Sequence, residues 1–217
     1  MKISTARLET FSDCVIAIII TIMILELRLP NLDKHTASAT QILAYLHSLL
    51  PYFITYAFSY MMIGIFWTNH HHMFFLLETT DETLLWQNFL FMFMLSLIPF
   101  ATALVGTNPF IPLSPAIYGL VMLLTTGSFV LMRNYSIQHG LVHKDKNRDL
   151  RRKIYKVSLR ARTKGIIGAL VYLASIPLAY VNIYIAYALF VIPALIFFVP
   201  EGIDSEKLAA DVSGETK

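Results

Sequence analysis

The chain has 217 residues, of which 56% are hydrophobic and only 14% charged, and its formal net charge is +3. A soluble domain of ordinary surface-to-volume ratio cannot hide so much apolar surface, so the composition places the chain in lipid. The cations lie beside apolar runs rather than among base-stacking aromatics, so no nucleic-acid partner is expected. The lone Cys14 excludes an internal disulfide and a cysteine metal site.

The apolar residues fall into blocks long enough to cross a hydrocarbon core of about 30 Å as helix. Helices satisfy their own backbone hydrogen bonds without water, so an all-α fold follows. The first span is expected over about residues 11–29, ending at Pro30 and Asn31. Ala37-Ser38-Ala39 resembles a signal-peptide cleavage site. The apolar core stops near Leu25, however, and Glu26, Arg28, Asp33 and Lys34 fill a gap too long and too charged for one, so the span is expected to be retained.

A second span covers about 42–67, with Pro51 near its start and helix continuing past His70 towards Leu77. The third, about 84–105, carries Pro99, which in a membrane helix makes a kink more often than an end. Ser114 followed by Pro115 reads as an N-cap and first helical position for a fourth span over about 115–132. A basic loop, 139–164, follows. The last two spans, about 165–181 and 182–199, form a tight hairpin containing Pro177 and Pro193, and residues 201–217 make a polar tail. Residues 1–200 thus make up a six-span transmembrane domain.

Cations set membrane topology more strongly than acidic residues. Of 17 Lys and Arg, ten lie in the basic loop: Lys144, Lys146, Arg148, Arg151, Arg152, Lys153, Lys156, Arg160, Arg162 and Lys164. That loop is expected in the cytoplasm. Six spans then put both termini on the same side. Within the loop, Leu150, Ile154 and Val157 repeat at helical spacing. This predicts an interfacial helix with its basic face towards anionic lipid headgroups, and the loop is too polar to be a voltage sensor.

Asp13 stands just inside the first apolar run, where a carboxylate is costly. Either it sits at headgroup depth and touches water, or it and Ser12 are buried against other helices and fix their packing. Ile18, Ile22, Leu25 and Leu29 share one stripe at about 100° per residue, with Thr21 on its edge. Such a stripe is ordinarily lipid-facing or plain packing.

Arg7-Leu8-Glu9-Thr10-Phe11-Ser12-Asp13 fits the R-x-x-x-F-S-D signature opening the first helix of the transmembrane protein 175 family, which the chain resembles. In order along the chain come Leu25-Glu26, Phe66-Trp67-Thr68-Asn69-His70, Asn88 and Pro99-Phe100. The resemblance implies a potassium-permeable channel without a T-V-G-Y-G filter, and no such run occurs here. It also implies a homotetramer of single six-span repeats, with the first helix lining the pore. Ile18, Ile22 and Leu25 then match the constricting positions, Thr21 and Leu29 flank them, and Thr21 offers a passing cation an oxygen. Arg7, Phe11, Ser12, Asp13, Trp67, His70 and Asn88 match a polar network near the cytoplasmic end.

His70-His71-His72 does not read as a metal site, because consecutive residues diverge around a helix. A proton-sensing role fits histidine's titration range better. Glu26 near the outer end of the first span is a candidate for drawing cations to the mouth, or is simply solvated. The expected protein is therefore a multi-pass cell-membrane channel, not an enzyme, with no cofactor beyond the permeating potassium ion. Its partners are further copies of itself and membrane lipid. The rival reading is a secondary transporter, towards which Pro99, Pro177 and Pro193 hint as breaks in helices. No Ser/His or His/Glu pair has usable spacing for a hydrolase within a span.

Overall fold

The computed structural model describes residues 4–27, 38–142 and 148–198, with the side chains of Glu26 and of residues 148–151 left aside. Arg28, Leu29, most of the first connection, the polar tail and the side chain of Glu26, the candidate cation attractor, thus lie outside what is described. Eight α-helices appear among the described residues: α1 (Thr5–Ile22), α2 (Ala39–Ser48), α3 (Leu50–Phe75), α4 (Glu82–Ser96), α5 (Ile98–Thr107), α6 (Leu113–Gln138), α7 (Arg148–Val181) and α8 (Ile183–Phe198). Five helical stretches are long and apolar enough to cross a membrane, with α4 and α5 counted as one, and α8 is a shorter apolar helix.

Local chemistry explains the boundaries. The Ser4 hydroxyl accepts from the Arg7 amide and starts α1 six residues before the apolar run, so the whole signature lies on helix. After Ile22 the chain tightens into a 3-10 turn, Met23–Glu26. Ser38 and Gln41 form a reciprocal capping box that starts α2, a helix with no buried residue. Pro51 and Pro99 stand in the first turns of α3 and α5, where their missing N–H groups interrupt the ladders and separate α2 from α3 and α4 from α5. Asp81 caps α4 through the Leu84 amide, 2.8 Å away.

Two expectations need correcting. Pro112, not Ser114, occupies the cap position of α6; it sits in helical geometry without a side-chain cap, and Ser114 is buried inside the first turn. The basic segment is not a separate interfacial helix, because α7 runs unbroken for 34 residues from Arg148 through the apolar span to Val181. At 1.5 Å per residue that is about 51 Å, well beyond a hydrocarbon core. Moreover, Ile154 is buried against Leu76, with Val142 and Val157 packed around it, rather than facing lipid.

α6 forms the spine of the subunit and lies antiparallel to α7. Gly119 lets the two helices close: a Cβ there would stand 2.6 Å from Ser175 Oγ. Further along the pair, Arg162 Nη1 donates to Asn134 Oδ1 at 3.1 Å. A hydroxyl chain ties two further helices to α6 within the apolar interior. Tyr118 Oη lies 3.0 Å from Ser59 Oγ, and Thr102 Oγ1 lies 2.8 Å from the same Ser59 oxygen and 2.8 Å from the Ile98 carbonyl. All three residues are buried, so the chain fixes α3, α5 and α6 at the Pro99 break. At the opposite end, the Glu78 amide donates to the Leu141 carbonyl at 2.9 Å, and Tyr135 Oη donates to Asp81 Oδ2 at 2.7 Å. These bonds clamp the α3–α4 turn onto the end of α6.

Candidate functional site

The first helix has two faces of opposite fate. Leu8, Ser12, Ile16 and Ile19 are buried against α3 and α4, and Met23 continues that row. Arg7, Phe11, Cys14, Ile18, Thr21, Ile22 and Leu25 lie on the other side, uncovered by the chain. Ile18, Ile22 and Leu25 are 57%, 45% and 71% exposed, so this aliphatic row is left bare by the chain's own helices. Thr21 Oγ1 donates to the Ile18 carbonyl at 2.9 Å, so its hydrogen is used within the helix while its lone pairs remain available.

Polar groups do the fastening. Ser12 Oγ donates to the Leu8 carbonyl at 2.9 Å and is therefore left to accept from Asn88 Nδ2 at 2.8 Å. That aims Asn88 Oδ1 at His70 Nε2, 2.9 Å away, so Nε2 carries the hydrogen and donates. One direction of donation thus runs from His70 on α3 through Asn88 on α4 to Ser12 on α1. All three residues are 0% exposed, where an unmade hydrogen bond is costly. The His70 ring stacks on Phe74 at 4.3 Å between centroids, which holds its plane.

A second pair of bonds lies at the edge of the α1–α3 contact. Trp67 Nε1 donates to Asp13 Oδ1 at 2.9 Å, and one turn further His71 Nδ1 lies 2.9 Å from Glu9 Oε1. Asp13 is half-buried, so it is neither free in water nor sealed in the core. Trp67 is 45% exposed, with its ring available to the interface while its N–H is engaged.

The structure brings Ser12, Asp13, Trp67, His70 and Asn88 into two adjoining bonded groups. It leaves Phe11 outside them, edge-on to Phe89 at 5.4 Å. Arg7 lies apart too, exposed beside Ala6, Thr10, Phe11 and Cys14 along an open groove. The three histidines diverge as a helix requires: His70 is buried, His71 meets Glu9 and His72 is exposed. Among the described residues no group of three His, Cys, Asp or Glu converges as a metal site.

The Glu9–His71 pair escaped sequence reasoning although its signal was present. Glu9 lies four residues before Asp13 and His71 four after Trp67, the spacing at which antiparallel helices meet twice. The hydroxyl chain of Ser59, Thr102 and Tyr118 carried no such signal.

A bundle of helices long and apolar enough to cross a bilayer defines a multi-pass membrane protein. Comparison with known proteins agrees. Residues 7–99 match the sequence model of the family described as endosomal/lysosomal potassium channel TMEM175. A potassium channel of Chryseobacterium sp. (strain P1-3) is 33% identical over 195 residues, covering 90% of this chain and 93% of that one. A potassium channel of Chamaesiphon minutus is 26% identical over 197 residues, covering 89% and 93%. The mouse endosomal/lysosomal proton channel TMEM175 is 27% identical over 184 residues, which cover 36% of that longer protein. Among solved structures, the crystal structure of a lysosomal potassium-selective channel TMEM175 homolog from Chamaesiphon minutus superposes with a TM-score of 0.74 at 24% identity, covering 90% of this chain and 96% of that one. The chain belongs to the TMEM175 channel family.

Proposed function

We propose that this chain is a six-span subunit of a homotetrameric potassium-permeable channel, with both termini cytoplasmic, α8 as the sixth span and α1 lining the pore. The observation that carries this reading is the uncovered row Ile18, Ile22 and Leu25 on a helix whose opposite side is bonded and buried. Similarity to proteins named as potassium channels supports the choice of ion.

Rings of these aliphatic side chains from several copies form a constriction that closes by excluding water. Slight widening lets water and a partly stripped ion through. Potassium sheds water at lower cost than sodium, so selectivity arises without a carbonyl cage, and Thr21 supplies an oxygen beside the ring. Ser12, Asp13, Trp67, His70 and Asn88 act by setting the position of α1 rather than by touching the ion, and Arg7 and Phe11 on the uncovered side serve contacts between copies. Anionic headgroups meet the basic part of α7.

The test is planar-bilayer recording of the purified protein, wild type against Ile18→Asn and Ile22→Asn. Unitary potassium currents are expected, with raised leak conductance in both variants because an amide wets the constriction. Slow flux coupled to a second solute, instead of unitary currents, identifies a carrier. Unchanged conduction and selectivity in both variants removes the pore assignment.

A further inference from the structure

The cytoplasmic part of α7 is two-faced in a way that links a charged surface to the helix we read as the pore. Ile154, Ser158, Ala161 and Gly165 are buried. At 100° per residue they share one side, and Arg152, Lys156, Arg160 and Thr163, all exposed, lie diametrically opposite. Three cations in a single row with no acidic residue from 152 to 164 form a surface of one sign.

The buried side reaches the α3–α4 turn. Ile154 is 1% exposed and packs on Leu76, the residue that ends α3, with Val142 against both. That turn joins the helices that carry His70 and Asn88, and these two side chains hold Ser12 of α1. The packing of Ile154 on Leu76 thus joins the exposed side of α7 to the turn, and through the turn to the anchoring of α1.

We propose that Arg152, Lys156 and Arg160 bind anionic lipid headgroups of the cytoplasmic leaflet, and that this binding, relayed by Ile154 to the α3–α4 turn, regulates the channel. The proposal rests on the channel reading above and its cytoplasmic placement of this segment. The geometry suits a headgroup layer. The apolar part of α7 begins at Gly165, so Arg160 lies about 7 Å beyond the hydrocarbon edge, at phosphate depth. Lys156, about one turn further out, lies within a Debye length of the phosphates, and Arg152, about 12 Å beyond Arg160, stands near the limit of that range. Each cation at an anionic surface raises binding about fivefold, with Arg152 contributing least.

The full chain is recorded in planar bilayers of POPC alone and of POPC doped with POPG. The open probability of the wild type is expected to differ between the two, and the difference to shrink as KCl is raised. The triple variant R152Q/K156Q/R160Q is expected to give the same value in both lipids. Ile154→Ala is expected to retain POPG by native mass spectrometry yet lose the response.

Equal open probability for the wild type in both bilayers, or a response persisting in the triple variant, overturns the proposal. A response persisting in Ile154→Ala overturns the relay. Inositol hexakisphosphate reproducing the effect in pure POPC reassigns the surface to a soluble polyanion and overturns the lipid. If neither bilayer shows current, the channel reading fails; POPG retained by the wild type and lost by the triple variant still supports the lipid site by itself, and equal retention rejects it.

Discussion

Replacing Asn88 with leucine keeps the volume of the side chain but removes two buried hydrogen bonds at once, to Ser12 Oγ and from His70 Nε2. The two former partners fare differently. Ser12 still donates to the Leu8 carbonyl, so it loses only an acceptance. His70 is 0% exposed and left with an N–H that has no acceptor, a penalty of about 1–3 kcal/mol. Asn88→Leu should therefore lower stability in a mild detergent by that amount, read by SDS titration followed by circular dichroism. His70→Phe should be destabilising in its own right, because it strands Asn88 Oδ1. The double variant, in which both partners are apolar, should recover part of the loss, giving a coupling of about 0.6 kcal/mol, the average for interhelical hydrogen bonds in a membrane, and at most about 1.7 kcal/mol. An Asn88→Leu protein as stable as wild type, or strictly additive single and double variants, would refute the directional chain from α3 to α1.

Other outcomes follow from the same geometry. Tyr118→Phe removes one member of the Ser59 and Thr102 chain and should cost about 1 kcal/mol, with Ser59→Ala in the same background adding less than it does alone. Gly119→Val places a side chain where a Cβ already meets Ser175 Oγ at 2.6 Å, so it should destabilise by about 1–3 kcal/mol, and Ser175→Ala should rescue part of the loss. Arg7→Ala and Asp13→Ala should weaken assembly more than ion selectivity; fully assembled tetramers of both variants by native mass spectrometry would contradict this.

Much of the fold was legible because prolines and polar residues punctuate the apolar runs. Pro99 marks a break, and the boundary between the last two spans was readable to within a residue, whereas Pro51 was read inside a single span over 42–67 and in fact stands where α2 gives way to α3. The start of α1 was harder, because the cue was a capping serine at position 4 in polar sequence rather than the apolar run beginning near Phe11. Continuity of α7 was hidden for a related reason. Hydropathy separates Arg148–Lys164 from the span that follows, but the backbone ladder is indifferent to that change, and nothing in the segment breaks a helix. Ile154 was correctly read as the apolar side of a basic helix, yet a single sequence does not say whether such a side meets lipid or protein; Leu76 answers that only in three dimensions.

Ser12 and Asp13 stood out as polar groups opening an apolar helix, whereas Trp67, His70 and Asn88 entered only through the family resemblance. Their pairing was not readable. Which oxygen faces which nitrogen follows from Ser12 spending its hydrogen on Leu8, a backbone partner invisible to motif reasoning. The pairing of Glu9 with His71 was missed for a similar reason, since neither points to the other until the two helices are placed side by side.

The claim on which the rest depends is that the uncovered side of α1 faces the ion path. Cysteine accessibility measures this directly, in a Cys14→Ser background with Ile18→Cys, Ile22→Cys or Leu25→Cys introduced singly and with Ile16→Cys and Ile19→Cys as buried controls. A permeant-sized cationic methanethiosulfonate should block potassium current through the first three variants and leave the two controls unaffected. Currents that survive reagent at all three exposed positions, in channels that still conduct, would contradict the account and leave those side chains to the lipid.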